Sequence, residues 1–362
     1  MFYHLLYPLK NIFFGFNLFK YITFRSAGSA LTSFLIVILF GNYFIKKLES
    51  LRFTEKIKFK DAPILENLHS QKEGTPTAGG ILVIFAVLFS VILWARLDNV
   101  FIWLTLFVMV SLGLVGLKDD IVKIRKTQRR GISKSEKLIL QGLVGLIIGI
   151  YIYFSKNLDT YLDIPFIKHK IVDLGIFYIF FSILVITASS NAVNLTDGLD
   201  GLACGSLIFV TLTYAILSYL AGHFVFAKYL FIPFIKGAGE LTVFCASLGG
   251  ALLGFLWFNC FPAQVFLGDT GSLSIGGSLG CVSLFIKKEL LLIIAGGIFV
   301  IETLSVILQI FSFKIFKKRI FKIAPLHHHF QALGYPEAKI TIRFWIVSVI
   351  LMILALSTLK IR

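Results

Sequence analysis

The sequence predicts an all-α protein that crosses a membrane ten times, as one integral membrane domain over residues 1–362. Of the 362 residues, 57% are hydrophobic and only 15% are charged, which is more apolar than a soluble domain of this size. Apolar runs of about 20 residues recur along the chain, and each can cross a bilayer as a helix. Lysine and arginine gather in alternate loops between these runs, as in a multi-pass topology.

Residues 1–21 precede the first span and are rich in aromatic side chains. They lack the basic start and small-residue cleavage site of a signal peptide, so we expect an interfacial helix or half-buried hairpin on the membrane. The predicted spans then follow, at residues 26–45, 77–95, 100–117, 138–154, 174–193, 202–221, 241–258, 271–287, 290–311 and 342–359.

The formal net charge of +16 raises the question of a nucleic-acid partner. In a membrane protein, positive charge first reflects topology and anionic lipid headgroups, so we expect contact with membrane lipids and no nucleic acid. The four cysteines form no CxxC pair, and we expect them to act as small apolar residues.

Three odd-numbered loops, after spans one, three and nine, hold the dense clusters of lysine and arginine, and the even-numbered loops hold far fewer. The positive-inside rule therefore places the odd loops in the cytoplasm and both termini outside. These predicted cytoplasmic loops lie at about residues 46–76, 118–137, 194–201, 259–270 and 312–341.

Every polar motif falls in an odd loop. The motifs are GTPTAGG from Gly74, GLKDDIVK from Gly116, NLTDGLDG from Asn194, FLGDTGS from Phe266 and PLHHHF from Pro325. Because odd loops share one face, the sequence predicts a single active site on the cytoplasmic face of the membrane.

Five carboxylates lie in these loops, and they would repel one another without a cation. Hard oxygen ligands without cysteine favour Mg²⁺ or Mn²⁺ over zinc. The five are Asp119, Asp120, Asp197, Asp200 and Asp269. A simpler interpretation treats Asp197 and Asp200 only as caps of the following helix.

Glycine and lysine accompany the acids. Glycine-rich loops before the predicted helices allow backbone N–H groups to approach phosphate, and Lys72, Lys123 and Lys137 can balance its remaining charge. Together with a metal, this combination indicates phosphoryl transfer from a nucleotide-type donor.

Three consecutive histidines, His327, His328 and His329, follow the ninth span. Adjacent residues cannot all face one site from a helix, so we expect one or two to contact phosphate or substrate and the rest to support the loop. A solvated polar loop or adventitious metal binding is the alternative.

These motifs together resemble those of the phospho-N-acetylmuramoyl-pentapeptide transferases, within the polyprenyl-phosphate N-acetylhexosamine-1-phosphate transferase superfamily. The resemblance runs from about Thr75 to Arg362 and includes WFN at Trp257 and IETLSVILQ from Ile301. It implies transfer of phospho-MurNAc-pentapeptide from UDP-MurNAc-pentapeptide to undecaprenyl phosphate, giving lipid I and UMP, with Mg²⁺. It also implies ten spans, external termini, a homodimer and location in the bacterial cytoplasmic (inner) membrane.

The resemblance assigns roles to individual residues. Asp119 and Asp120 match the essential acid pair, and Asp269 matches the Mg²⁺ ligand. We add His328 to these catalytic residues. Phe266 matches the residue that stacks on uracil. Substrate binding is assigned to Lys72, Thr77, Lys123, Lys137, Asn194, Asp197, Asp200, Asn259, Phe266, His327 and His329.

The sequence departs from the family pattern at two positions. Ala78 stands where the family usually has Met, and Gln331 stands where an acid usually follows the histidines. Glu302 and Gln309 lie inside the ninth apolar run, where hydrogen bonding within the bundle is favoured slightly over contact with substrate. A groove among the spans should hold the polyprenyl chain.

Two alternatives remain open. A sister enzyme that transfers GlcNAc-1-phosphate to the same type of lipid would share the aspartate motifs, although the unbroken histidine run favours the first function. An ion-coupled transporter should carry acids near the bilayer midplane and show inverted repeats, and the sequence shows neither pattern.

The sequence also leaves two mechanisms open. A lipid phosphate is already an anionic nucleophile, which favours its direct attack on the donor, with Asp119 orienting it or accepting its residual proton. Asp120 would then hold the metal or a basic partner. The rival is double displacement through an aspartyl ester.

Overall fold

The computed structural model describes residues 1–54, 72, 74–125, 131–156, 158–165 and 172–360. Parts of the predicted loops at 46–76 and 118–137 lie outside these residues. Within the described part of the chain, ten long α-helices correspond to the ten predicted spans, except that the first residues of the predicted span 290–311 form the separate short helix Leu291–Ala295. They are α1 (Ile22–Ser50), α2 (Gly80–Trp94), α3 (Val100–Arg125), α4 (Lys134–Phe154), α5 (Phe177–Thr196), α6 (Leu202–Ala221), α7 (Leu241–Asn259), α8 (Gly268–Phe285), α9 (Gly297–Phe316) and α10 (Glu337–Ser357).

Shorter elements join or precede the long helices. Two strands, β1 (Tyr161–Leu162) and β2 (Val172–Asp173), pair antiparallel between α4 and α5. The short helices are Phe2–Leu6, Phe224–Tyr229, Leu291–Ala295 and Leu326–Ala332, and the 3-10 turns are Tyr7–Asn11, Phe14–Lys20, Ala238–Glu240 and Thr358–Lys360.

The first residues of the chain fold against the end of α2. The ring of Phe2 lies 5.1 Å from that of Trp94, and the ring of Phe19 lies 5.9 Å from it. The predicted position of residues 1–21 at the membrane interface stays a prediction.

Eight of the ten long helices are long and apolar enough to cross a membrane. The chain is therefore a polytopic helical membrane protein, while ten crossings and their orientation stay predictions. The other two are α2, which has 15 residues, and α8, in which half of the 18 residues are Gly or Ser. All residues of α8 from Asp269 to Phe285 are buried within the protein. Because none of them is exposed, α8 does not need an apolar surface.

Several helices extend further than their predicted spans. α3 continues past residue 117 to Arg125, so the Asp119–Asp120 pair is helical. α5 continues to Thr196, and α8 begins at Gly268, so Asn194 and Asp269 also lie in terminal helical turns. Charged residues at the end of an apolar helix look like a loop in the sequence, although their backbone continues to be helical.

Two close approaches between backbones place the polar ends of the helices together. A Cβ atom on Gly80 would lie 2.2 Å from the Gly271 backbone, and one on Gly116 would lie 2.2 Å from the Asp269 carbonyl oxygen. Glycine is thus needed where α2 and α3 meet the start of α8.

At the opposite end of the bundle, residues 287–289 connect α8 to the next helix, and their charged side chains are buried. Lys288 pairs with Asp163 of the β1–β2 connection, and the Tyr178 hydroxyl donates to Glu289. The Lys287 Nζ lies 3.4 Å from Glu289 Oε1. We call Asp163, Tyr178, Lys287, Lys288 and Glu289 the far-end cluster.

Candidate active site

Three of the predicted acids form one cluster. Asp119 and Asp120 come from the last turns of α3, and Asp269 comes from the first turn of α8. One ligand oxygen from each lies within 4.8 Å of the others, so the cluster could hold a metal ion. Asp197 and Asp200 do not belong to it.

The Asp120 carboxylate caps the start of α8. It accepts hydrogen bonds from the backbone N–H groups of Asp269 at 3.2 Å and Thr270 at 3.0 Å, and from the Thr270 hydroxyl at 2.6 Å. These bonds satisfy donors that a helix leaves free at its N-terminus. Asp120 therefore fixes the position of Asp269, a function that the sequence interpretation did not include.

Asp119 has a different environment. It accepts the backbone N–H of Ile132 at 2.9 Å, and its other oxygen lies 2.7 Å from the Lys123 Nζ, one helical turn along α3. A Cβ atom on Gly131 would lie 2.1 Å from the Asp119 carboxylate, so the segment before α4 covers this acid closely.

Asp269 is surrounded by donors. The Nζ of Lys123 lies 2.8 Å from Oδ1, the Nζ of Lys137 lies 2.6 Å from Oδ2, and the Asn194 amide donates to Oδ1 at 2.9 Å. Burial alone would raise the pKa of Asp269, but Lys123, supported by Lys137, outweighs it and holds the pKa well below its usual range. Asp269 is therefore ionised and suited to bind a cation.

The donor set fits a hard divalent cation. Within the described ranges, three carboxylates meet here with two ammonium groups, Lys123 and Lys137, so these acids outnumber the cations beside them. Oxygen ligands without sulfur suit Mg²⁺ or Mn²⁺.

A second polar group surrounds Lys72. Its Nζ lies 2.6 Å from Asp200 Oδ1 and 2.5 Å from Glu337 Oε1. The other Asp200 oxygen accepts the Ala263 N–H at 2.9 Å, and the Lys72 Nζ lies 5.9 Å from the centre of the Phe266 ring. The structure thus brings together Lys72, Asp200 and Phe266, as predicted.

Glu337 was missed by the sequence interpretation. It is the first residue of α10, where an acid is common because the helix dipole favours it, so its sequence position gave no further signal. The Glu337 carboxylate also accepts the Asp200 N–H at 2.8 Å, across 137 residues of chain.

For Asp200, the interpretation only as a helix cap is wrong. The N-cap residue of α6 is Gly201, which has no side chain to cap the helix. Asp200 instead binds Lys72 and the Ala263 N–H, while Asp197 is the residue that directly follows α5.

Backbone hydrogen bonds join two of the glycine-rich motifs. The Phe266 N–H donates to the Pro76 oxygen at 2.8 Å, and the Gly79 N–H donates to the Phe266 oxygen at 2.9 Å. Thr77 Oγ1 would lie 3.0 Å from a Cβ atom on Gly268, so Thr77 adjoins the start of α8.

Asn259 supports the loop that carries Phe266. Its amide, on a 3% exposed residue, donates to the Val265 oxygen at 2.8 Å. The side chain thus lies beneath the loop, and a direct contact of Asn259 with substrate stays a prediction.

The three histidines lie on the short helix Leu326–Ala332, which we call the histidine helix. His327 is buried, its N–H donates to Glu302 of α9 at 3.1 Å, and its Nε2 would lie 2.3 Å from a Cβ atom on Gly198. His327 is therefore the histidine that packs on the NLTDGLDG motif, and Glu302 holds it there.

The other two histidines make local contacts. His328 Nδ1 lies 2.8 Å from the Gln331 amide oxygen, and His329 Nδ1 accepts the Lys322 N–H at 3.1 Å. Gln331 needs no charge for this contact, which explains why an amide is accommodated there. A catalytic function of His328 stays a prediction.

Gln309 supports the chain after α9. Its oxygen accepts the Phe321 N–H at 2.9 Å, and its nitrogen donates to the Phe321 oxygen at 3.1 Å. Glu302 and Gln309 thus both bond within the protein, as the sequence interpretation slightly favoured.

An apolar cavity of about 550 Å³ lies within the helix bundle. Its walls come from α5, α8 and the chain from Glu289 to Leu304, and they include Asn191 and Val193, next to Asn194 in the sequence. The cavity extends from there to Glu289 of the far-end cluster.

Comparison with known proteins shows the family to which this chain belongs. A family model described as glycosyl transferase family 4 matches residues 101–287. The chain is 50% identical over 363 residues to the phospho-N-acetylmuramoyl-pentapeptide-transferase of Desulfotalea psychrophila, with 100% of both chains covered. It is 48% identical to the enzyme of the same name from Syntrophus aciditrophicus, again with 100% of both chains covered. It is 50% identical to the enzyme of the same name from Methylacidiphilum infernorum, with 96% of each chain covered.

Proposed function

Because the chain belongs to the phospho-N-acetylmuramoyl-pentapeptide transferases of glycosyl transferase family 4, we propose that it makes lipid I. It would transfer phospho-MurNAc-pentapeptide from UDP-MurNAc-pentapeptide to undecaprenyl phosphate and release UMP. The observation that carries this proposal is the cluster of Asp119, Asp120 and Asp269 in the same bundle as an apolar cavity whose lining, at Asn191 and Val193, adjoins the Asn194 that contacts Asp269. A polar phosphate and an apolar chain can thus be held next to the same acids.

Asp269 is the proposed Mg²⁺ ligand, with Asp119 close enough to share the ion. Mg²⁺, when bound, would neutralise charge on the donor pyrophosphate. Asp120 would act by holding the start of α8 in place, because its oxygens accept hydrogen bonds from the first N–H groups of that helix. Lys123 and Lys137, now bound to Asp269, would also face the phosphates.

Donor recognition is proposed at the Lys72 group. Phe266 offers a ring for stacking on uracil, and the Asp200 carboxylate offers acceptors for its N–H. Glu337 holds Lys72 and Asp200 in place from α10, so it acts as a positioning residue.

The large cavity is the proposed site of the polyprenyl chain. Its lining is almost wholly apolar, and it ends beside Asn194, which contacts Asp269. An acceptor lipid lying there would have its phosphate near the acid cluster.

Direct transfer is the proposed mechanism. An oxygen of the lipid phosphate attacks the sugar-linked phosphorus, a P–O bond forms, and the bond to UMP breaks. Asp119 would orient the lipid phosphate or accept its residual proton, since it is the acid of α3 whose oxygens do not cap α8.

The function is tested by UMP release from purified protein supplied with UDP-MurNAc-pentapeptide and undecaprenyl phosphate. Replacing the donor with UDP-GlcNAc tests the sister function, and faster release from UDP-GlcNAc would refute the proposal. Without any lipid phosphate, direct transfer predicts no UMP, whereas an aspartyl ester would give a burst stoichiometric with enzyme.

The proposed location is the bacterial inner membrane, with the site facing the cytoplasm. In a cysteine-free variant, Lys318→Cys should react only from the cytoplasm and Tyr161→Cys only from outside. Reversed labelling of this pair would overturn the proposed orientation. A homodimer stays a prediction.

A further inference from the structure

A second, smaller cavity lies on the other side of α9 from the large one. It has a volume of about 260 Å³ and lies among α9, the histidine helix and α10. Ile298 and Ile301 of α9 line the small cavity, whereas Phe299, Val300, Thr303 and Leu304 line the large one. The two cavities are therefore separate, and the proposed function uses only the first.

The walls of the small cavity are apolar, with basic residues at one end. Leu326, Phe330, Ile340, Phe344 and Val347 complete its lining, together with Tyr335 and Arg343. The Arg343 guanidinium carbon lies 5.4 Å from the centre of the Tyr335 ring, and the Lys339 Nζ lies 5.8 Å from it. Two cations thus flank one ring at the rim of an apolar space.

Neither cation has a carboxylate partner in the part of the chain that the structure describes. This contrasts with Lys72, Lys123 and Lys137, each of which lies within 2.8 Å of an acid. Arg343 and Lys339 are exposed and one helical turn apart at the start of α10. They form a positive site without an internal counter-charge.

The cavity opens toward the membrane-facing surface of the bundle. Ile301 is 44% exposed and Val347 is 39% exposed, and both belong to helices apolar enough to cross a membrane. An apolar space that opens to lipid and ends at a guanidinium group matches an acyl chain followed by a phosphate.

We propose that this cavity binds one anionic phospholipid, with an acyl chain between α9 and α10 and its headgroup phosphate on Arg343 and Lys339. A phospholipid fits better than the polyprenyl phosphate substrate, because α9 separates this cavity from the acid cluster. Charge complementarity favours an anionic headgroup over a zwitterionic one.

The occupant would also contact the active-site region. Leu326 and Phe330 flank the three histidines, and both pack on a buried group that includes Leu199 and Leu202 beside the NLTDGLDG motif. An acyl chain in the cavity therefore supports the histidine helix from its apolar side.

The test is lipid binding to the full-length protein in detergent, measured by native mass spectrometry. Phosphatidylglycerol is compared with phosphatidylcholine that has the same acyl chains. Arg343→Gln should weaken phosphatidylglycerol binding about fivefold and leave phosphatidylcholine unchanged, which corresponds to about 1 kcal/mol for one basic residue. Arg343→Lys should retain most of the preference.

Lys314→Gln is the matched control, because Lys314 is an exposed cation in the last turn of α9 and does not line the cavity. It should bind both lipids as the wild type does. Val347→Trp fills the cavity without changing charge, so it should weaken binding of both lipids.

Two results would overturn the proposal. One is equal phosphatidylglycerol binding by the wild type and Arg343→Gln. The other is weaker binding of undecaprenyl phosphate by Arg343→Gln with phosphatidylglycerol unchanged, which would assign the cavity to the acceptor lipid.

Discussion

Both ends of the helix bundle contain buried acids and lysines, but the two groups differ in charge balance. Among the residues that the structure describes, three aspartates at the active-site end crowd together against two lysines. At the far end, the described residues Lys287 and Lys288 face Glu289 and Asp163, two charges of each sign. An excess of like charge is typical of a site that suits a cation, whereas a balanced group can serve structure alone.

The pKa directions show the same difference. The pKa of Asp269 is held well below its usual range because Lys123 and Lys137 outweigh burial. Burial raises the pKa of Glu289, although Lys287 opposes it. Asp269 is thus kept anionic for a ligand, while Glu289 lies in a setting that disfavours its charge.

The largest expected effect comes from Asp269→Asn, which removes the charge and retains the shape. Turnover should fall about 100-fold or more, in line with losing one charge-stabilising group in other active sites. The measurement is the rate of UMP release with Mg²⁺. The matched far-end change, Asp163→Asn, should leave this rate near the wild-type value.

Chelation provides a second check on that prediction. Near-normal turnover of the wild type in EDTA, or of Asp269→Asn in Mg²⁺, would contradict a metal function for the acid cluster and remove the contrast between the two ends.

The next largest effect is on stability and belongs to the far end. Lys288→Met removes the ion pair between Lys288 and Asp163, and removing one member of a buried pair costs about 3–5 kcal/mol. We expect a lower thermal midpoint in detergent with an unchanged KM and kcat for the protein that remains folded. A loss of kcat without a change in midpoint would show that the far end takes part in turnover.

The double variant Lys288→Met with Asp163→Leu sharpens the comparison. It removes both charges, so it should recover a large part of the lost stability.

Phe266→Ala is expected to act on donor binding. Losing a stacking ring should weaken donor affinity by about 1–3 kcal/mol, measured by titration calorimetry with the UDP-linked donor. Phe285→Ala is the control at the other end of α8, where the ring lies 5.0 Å from that of Phe101. It should lower stability and leave donor affinity unchanged. Reduced turnover of Phe266→Ala with normal affinity would instead assign the ring to support of the acid cluster.

The smallest effect is expected at the exposed pair Arg96–Asp98, near the far end. The hydrogen bond from Arg96 lowers the pKa of Asp98, so its contribution is present above the unfolded value of about 4 and is lost as pH falls through the lower folded value. Because the pair is half exposed, Asp98→Asn should cost less than about 1 kcal/mol at pH 7. The thermal midpoints of wild type and variant should differ slightly at pH 7 and converge below pH 4, and a larger gap in acid would refute this assignment.

The sequence was sufficient to locate the long helices and to identify the polar motifs at their ends. Apolar length predicts the spans, and the placement of Lys and Arg predicts that the motif loops share one face. In the structure Asp119, Asp120 and Asp269 meet, and Lys72, Asp200 and Phe266 form a second group.

The sequence could not provide the pairings that depend on distant packing. Glu337 binds Lys72 across 265 residues, and Glu302 binds the His327 N–H across 25 residues. Each residue has an ordinary local explanation, as a helix-start acid or a polar residue within a bundle. The capping of α8 by Asp120 was likewise hidden, because it depends on how close Gly116 allows α3 to approach.

The complete burial of α8 bears on how the chain enters the membrane during synthesis. With half of its residues Gly or Ser and with Asp269 in its first turn, α8 would partition weakly into lipid as a single segment. Its main neighbours, α3 and α5, precede it in the chain and are apolar enough to insert first. The order of helices along the sequence therefore lets Asp269 arrive after the helices that surround it, and α8 enters a protein groove instead of bare lipid.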